Sequence, residues 1–191
     1  MQVDLQDVQG ILHLYCLSLA GTDVQVVDAT EPVHAPGGPT VCLPPVTARY
    51  DDRQDNFDWL KVMATHQVAH LEFGGTGIVR LLSRVPRPRL AYDLFCVLEE
   101  GRLDARIALA YPGLRRALRR AQAEALNSRR SLDTASPVTA VLESLLHMGL
   151  GAFTSLPTPA GCEAVMPQLA AIVRTLHGPR TTVQDLSLIH I

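Results

Sequence analysis

A chain of 191 residues is long enough for one sizeable domain, or one with a small annex. Hydrophobic residues make up 47% and charged residues 19%, which excludes a disordered chain, and a net charge of −2 gives no general reason to expect nucleic acid or an anionic membrane as partner. Cys16, Cys42, Cys96 and Cys162 are widely spaced with no C-x-x-C pair, the pattern of packed free thiols in a cytosolic protein.

The first residues carry Asp4 and Asp7 and no basic side chain, unlike a secretory signal, so a cytoplasmic location is expected. Ile11 to Leu19 is rich in apolar and aromatic residues and stops at Gly21-Thr22-Asp23, after which Val24 to Val27 resumes. The pair reads as a β-hairpin. Glu31 to Pro39 reads as a loop, and Thr40 to Leu43 as a third short strand ended by Pro44-Pro45. A small antiparallel sheet is therefore expected over residues 11–43.

From Asp52 to Phe73 the period changes. Phe57, Leu60, Ala64, Val68 and Leu71 recur at three- and four-residue steps, which predicts a helix capped by Asp52 or Asp55 and ended by Gly74-Gly75. Further helices are expected over Ala91 to Ala110, Leu114 to Asn127, Pro137 to His147 and Cys162 to His177. Leu156 to Pro159 reads as a connector. The longest apolar run, Val141 to Leu156, is broken by Glu143, His147 and two glycines and is too short to span a bilayer. Leu186 to Ile191 look like the in-frame translation of a transposon-end sequencing adapter, so the expected domain covers residues 1–185. The fold class expected is α+β, mainly helical.

The motif of most interest lies in the helix ending near Phe73. His66 and His70 are four residues apart, hence roughly 40° apart around a helix axis, and can reach one ion. Zinc metallopeptidases use this spacing in H-E-x-x-H, with the Glu as general base on a metal-bound water. Here that position is Gln67, and an amide has no useful basicity, so the ligand pair is kept while the base is lost. The readings are two: a histidine pair at a core edge, or two ligands awaiting a third. The paired carboxylates Glu99-Glu100 lie in the next good helix and supply candidates, and periodicity does not choose between them. A buried ion pair with Arg102 or Arg106 is the competing account of these acids.

Between Arg102 and Arg130 eight arginines stand against Asp104 and Glu124, an excess of six positive charges. Arg115, Arg116, Arg119 and Arg120 fall on the flank opposite Leu114, Leu118 and Ala121. Stacking aromatics are missing apart from Tyr111, so a docking surface for an acidic partner fits better than a nucleic-acid interface.

Three segments together carry a resemblance. They are Leu43-Pro44-Pro45 leading through Asn56-Phe57 to Ala64–Gly74, then Leu98–Asp104 followed by Tyr111-Pro112-Gly113-Leu114, and more weakly Thr182–Asp185. In this order they resemble the N-terminal region of the nitric oxide reductase activation protein family, which includes the von Willebrand factor A (VWA) subunit of a Rubisco activase. The resemblance implies a zincin-like helical region followed by a VWA domain that is missing here. It also implies work with a hexameric MoxR-type AAA+ ATPase to activate or remodel a target enzyme complex. Carried over, His66, His70 and Glu99 match the metal-ligand positions, with Glu100 the alternative to Glu99 and zinc the implied ion. The expectation is a non-catalytic adaptor with no membrane insertion. The alternatives are a zinc metallopeptidase of degenerate H-x-x-x-H type, against which Gln67 argues, and an arginine-rich nucleic-acid-binding module.

Overall fold

The computed structural model describes residues 1–29, 38–74, 85–129, 136–153 and 158–187. These form a mainly helical α+β chain that divides into two compact units, residues 1–72 with 111–119 and residues 73–110 with 120–191.

In the first unit, β1 (Val3–Asp4) runs directly into α1 (Leu5–Ala20). The hairpin expected between Ile11–Leu19 and Val24–Val27 is not formed, because the first of these stretches lies within α1. Leu5, Val8, Leu12 and Cys16 recur every three or four residues and are all buried, so the helical period prevails over the strand-like composition. Gly21 ends the helix in the left-handed region, at φ 63°, where its N–H returns to the Leu17 carbonyl. β2 (Gln25–Asp28) and β3 (Thr40–Leu43) follow close to expectation but pair in parallel, Val26 opposite Val41 and Val27 opposite Cys42. The small antiparallel sheet is instead β1 with β4 (Val46–Thr47), Val3 facing Thr47. Residues 31–37 of the expected loop lie outside the described residues.

The outward polar groups of the parallel pair are taken up by side chains. Gln25 and Ala29 donate their N–H groups to Pro39 and Leu43, so the even-numbered residues of β2 turn away from β3. There the Val26 carbonyl accepts from Gln9 Nε2 at 2.7 Å, and His13 Nδ1 lies 3.0 Å from the Val24 carbonyl. Gln9 and His13 stand one turn apart on α1.

α2 (Arg53–Glu72) packs its Leu60, Ala64 and Val68 stripe against α1 and β3. Asp52 caps it as expected, its Oδ1 accepting from the N–H groups of Gln54 at 2.7 Å and Asp55 at 3.1 Å. Buried Asn56 fastens the start of the chain to this helix. Its Nδ2 donates to the carbonyls of Met1 and Tyr50 at 2.7 Å, and its Oδ1 accepts from the Tyr50 N–H at 2.9 Å.

The second unit is helical. α3 (Pro88–Ala110), α5 (Pro137–Gly149), α6 (Met166–Leu176) and α7 (Val183–Ser187) bury Leu98, Leu145, Met148, Leu169, Val173, Leu176 and Leu186 together. α4 (Arg115–Asn127) begins in the first unit, after a 3₁₀ turn at Pro112–Leu114, and ends in the second. Ser136 caps α5, with Pro137 at the first helical position. α3 and α5 meet at Gly101 and Gly149. A Cβ added at Gly101 would stand 2.9 Å from the Gly149 Cα, so only glycine permits this approach. Leu186, at the start of the stretch expected to be adapter, is buried in this core, while residues 188–191 lie outside the described residues. So do residues 75–84, which include Gly75-Thr76-Gly77, and Leu156-Pro157 of the expected connector. The four cysteines form no disulfide. Among the described residues no helix is long and apolar enough to cross a membrane.

Candidate metal centre

His66 and His70 lie in the last turns of α2. The core stripe fixes their direction: Ala64, Thr65, Val68 and Ala69 are buried, His66 at the margin is half-buried and His70 is exposed. Their rings meet edge to face with centroids 5.1 Å apart and planes at 72°. The two imidazoles therefore leave the same side of the helix, as i, i+4 spacing requires.

Gln67 points the other way. Its Oε1 accepts from the Cys42 N–H and its Nε2 donates to the Cys42 carbonyl, both at 2.8 Å. The side-chain amide thus pairs with one residue of β3 as a neighbouring strand would. A carboxylate in its place could accept but not donate, so an amide is what this position requires. The sequence places an amide where H-E-x-x-H has Glu, and the structure adds what that amide does. Nothing in the local sequence could have pointed to this, because Cys42 lies 25 positions away.

Of the paired carboxylates on α3, Glu99 is 4% exposed and lies against Arg102, which is 1% exposed. Arg102 Nε donates to Glu99 Oε2 at 2.7 Å and Nη2 to Oε1 at 2.8 Å, a bidentate pair that engages both carboxylate oxygens. Arg102 Nη2 also donates to the Phe73 carbonyl at 2.7 Å and Nη1 to that of Thr181 at 3.4 Å. Glu99 is therefore committed to a structural ion pair, the competing account raised from sequence. Glu100, one residue on, is exposed. Within the first unit His66 and His70 are the two side chains of α2 placed to share one metal ion. Two imidazole nitrogens suit zinc and its divalent neighbours.

Two tyrosines, whose roles the sequence did not reveal, support the same helix. Thr65 donates its hydroxyl to the Lys61 carbonyl, so the Tyr15 hydroxyl is the donor in its 2.7 Å contact with Thr65 Oγ1. Tyr111 donates its hydroxyl to Glu72 Oε2 at 2.8 Å. Burial pushes the Tyr111 phenol well up, and the Glu72 carboxylate raises it further by holding the proton between them.

On α4, Leu114 just before it and Leu118 within it are buried, while Arg115, Arg116, Arg119 and Arg120 are all exposed, as their positions predict. Arg120 lies 3.3 Å from Glu124 in a surface i, i+4 pair of little energetic weight. The six-charge excess counted along the chain overstates the field, since Arg102 pairs with Glu99 and Arg129 with Glu143, both acids outside the counted window. The four arginines of α4 remain as the exposed cluster. In comparisons with known proteins, no family model, curated protein or solved structure matches the chain.

Proposed function

We propose that this chain is a non-catalytic, metal-binding adaptor region that works with a MoxR-type AAA+ ATPase to activate or remodel a target enzyme complex. The observation that carries the non-catalytic half is the pair of hydrogen bonds from Gln67 to Cys42. They occupy, with an amide, the position where a peptidase holds its base, and the loss of a general base typically costs about 10²- to 10⁴-fold in rate. His66 and His70 hold the ion, and zinc is the proposed one. Bound there, zinc supplies a fixed positive charge and a cross-link. Glu99 is spent on Arg102 and supplies no ligand.

The partner half rests on the resemblance in the Ala64–Gly74 and Leu98–Asp104 segments and on the exposed arginines of α4. A cationic helix face speeds encounter with an acidic surface and makes it salt-sensitive. The test is twofold. Calorimetry should show about one zinc per chain, with binding lost in His66→Ala and His70→Ala. Casein incubated with the zinc-loaded protein should remain uncut. Pull-down and ATPase stimulation with the cognate hexamer should weaken with salt and on reversing Arg115, Arg116, Arg119 and Arg120 to Glu. Chelator-sensitive cleavage would refute the non-catalytic reading, and failure of the full-length protein to associate with any such ATPase would remove the adaptor reading.

A further inference from the structure

The end of α2 carries, within seven residues, His66, His70 and Glu72. His70, Leu71 and Glu72 are all exposed, Leu71 at 49%, so apolar packing does not hold this last turn and polar contacts must. One such contact is the 2.8 Å hydrogen bond from the Tyr111 hydroxyl to Glu72 Oε2. Tyr111 is also the residue from which the Pro112–Leu114 turn and then α4 start, and its side chain caps nothing there. The carboxylate that closes α2 is thus bonded to the residue that opens the arginine helix, all within the first unit.

Resting on the reading of His66 and His70 as ligands, the geometry points to a relay: metal occupancy at the histidines is read out in the seating of Arg115, Arg116 and Arg119 through Glu72 and Tyr111. Two imidazoles committed to one ion fix the turns of α2 that lead to Glu72, which otherwise fray as helix ends do. A fixed Glu72 holds Tyr111, and Tyr111 sets where α4 begins. Leu114 and Leu118 bury the helix in either case, so the relay changes how well its arginines are preorganised rather than whether α4 folds. The regulated ligand is an acidic polypeptide segment. The expected gain in its affinity is about fivefold, the size of effect that one hydrogen bond can couple between two sites.

The experiment uses the full chain in two steps at one ionic strength. Zinc affinity is measured by calorimetry for the unmodified protein and Tyr111→Phe, with circular dichroism to verify both folds. Labelled polyglutamate is then titrated against each, with and without zinc, and followed by anisotropy. The relay requires zinc to bind both proteins, by linkage no more than about fivefold more weakly in Tyr111→Phe. It also requires tighter polyglutamate binding with zinc in the unmodified protein and no such response in Tyr111→Phe. Zinc binding without any change in polyglutamate affinity overturns the relay alone. A response retained in Tyr111→Phe also overturns it, since zinc would then be bridging the peptide directly. Absence of zinc binding overturns the metal site itself, and the relay with it.

Discussion

Replacing Gln67 by Glu restores the H-E-x-x-H pattern, yet the structure predicts a weaker fold and no new activity. The amide lies 2.8 Å from both the N–H and the carbonyl of Cys42, a residue 7% exposed. Gln67→Glu keeps the acceptor and removes the donor, which loses one hydrogen bond of about 1 kcal/mol. It also sets an anionic oxygen against a carbonyl left without its donor, adding roughly 1–3 kcal/mol. The total deficit is therefore about 2–4 kcal/mol. Its pH dependence has a definite sign. This environment raises the folded pKa of the introduced carboxyl above its unfolded value of about 4.3, and a protonated carboxyl can again donate to Cys42. The deficit is smallest below the unfolded value and reaches full size as pH rises through the folded one. Trp59, the single tryptophan of the chain, packs against the core of the first unit, so urea unfolding followed by its fluorescence reports on the right place. Equal unfolding midpoints for variant and parent at pH 8 would refute the argument. So would zinc-dependent peptide cleavage by the variant, which would show that this side chain can leave Cys42 for a metal-bound water.

Other outcomes follow from residues beyond α2. Arg102→Met strands the buried Glu99 carboxylate and removes the donors to Phe73 and Thr181, so urea unfolding should show a loss of about 3–5 kcal/mol; a loss below about 1 kcal/mol would mean the pair is not intact. Gly101→Ala drives a methyl to 2.9 Å from the Gly149 Cα and should cost about 1–3 kcal/mol. Gly113→Ala, where the added carbon meets nothing within 4 Å, should stay within about 0.5 kcal/mol in the same assay. His177 Nε2 is buried without a hydrogen bond, and desolvation pulls its pKa down, with Asp104 only partly opposing it. The unfolded chain therefore binds this proton first, and stability drops as pH falls through about 6.5 towards the depressed folded value. Thermal melts from pH 7 to pH 5 should show that drop in the parent and a smaller one in His177→Phe.

The helices were legible where one clear stripe repeats. α2, α3 and α5 fall close to their expected bounds because Leu60, Ala64 and Val68, or Leu98 and Leu103, mark one face, and Asp52 and Gly149 stand near the ends. α1 was read as a strand because Ile11 and Leu14 are apolar yet 59% and 64% exposed, which fills in the polar side and hides the period. The parallel pairing of β2 and β3 depends on contacts that the local pattern does not encode. At the candidate site, the spacing of His66 and His70 could be read directly. The choice between Glu99 and Glu100 could not, until burial showed which carboxylate Arg102 reaches.

A sheet of two strands ordinarily presents two rows of open backbone groups, and such rows recruit other chains by adding a strand. Here Gln9 and His13 stand along one row and Gln67 fills the other at Cys42. Those side chains act as stoppers. Any peptide seeking to lengthen this sheet would have to displace amides already bonded at 2.7–2.8 Å. The same stoppers hinder the addition of a further strand at Val26 and at Cys42. What the first unit leaves open to contact is thereby mainly helix surface, where side chains rather than backbone are presented.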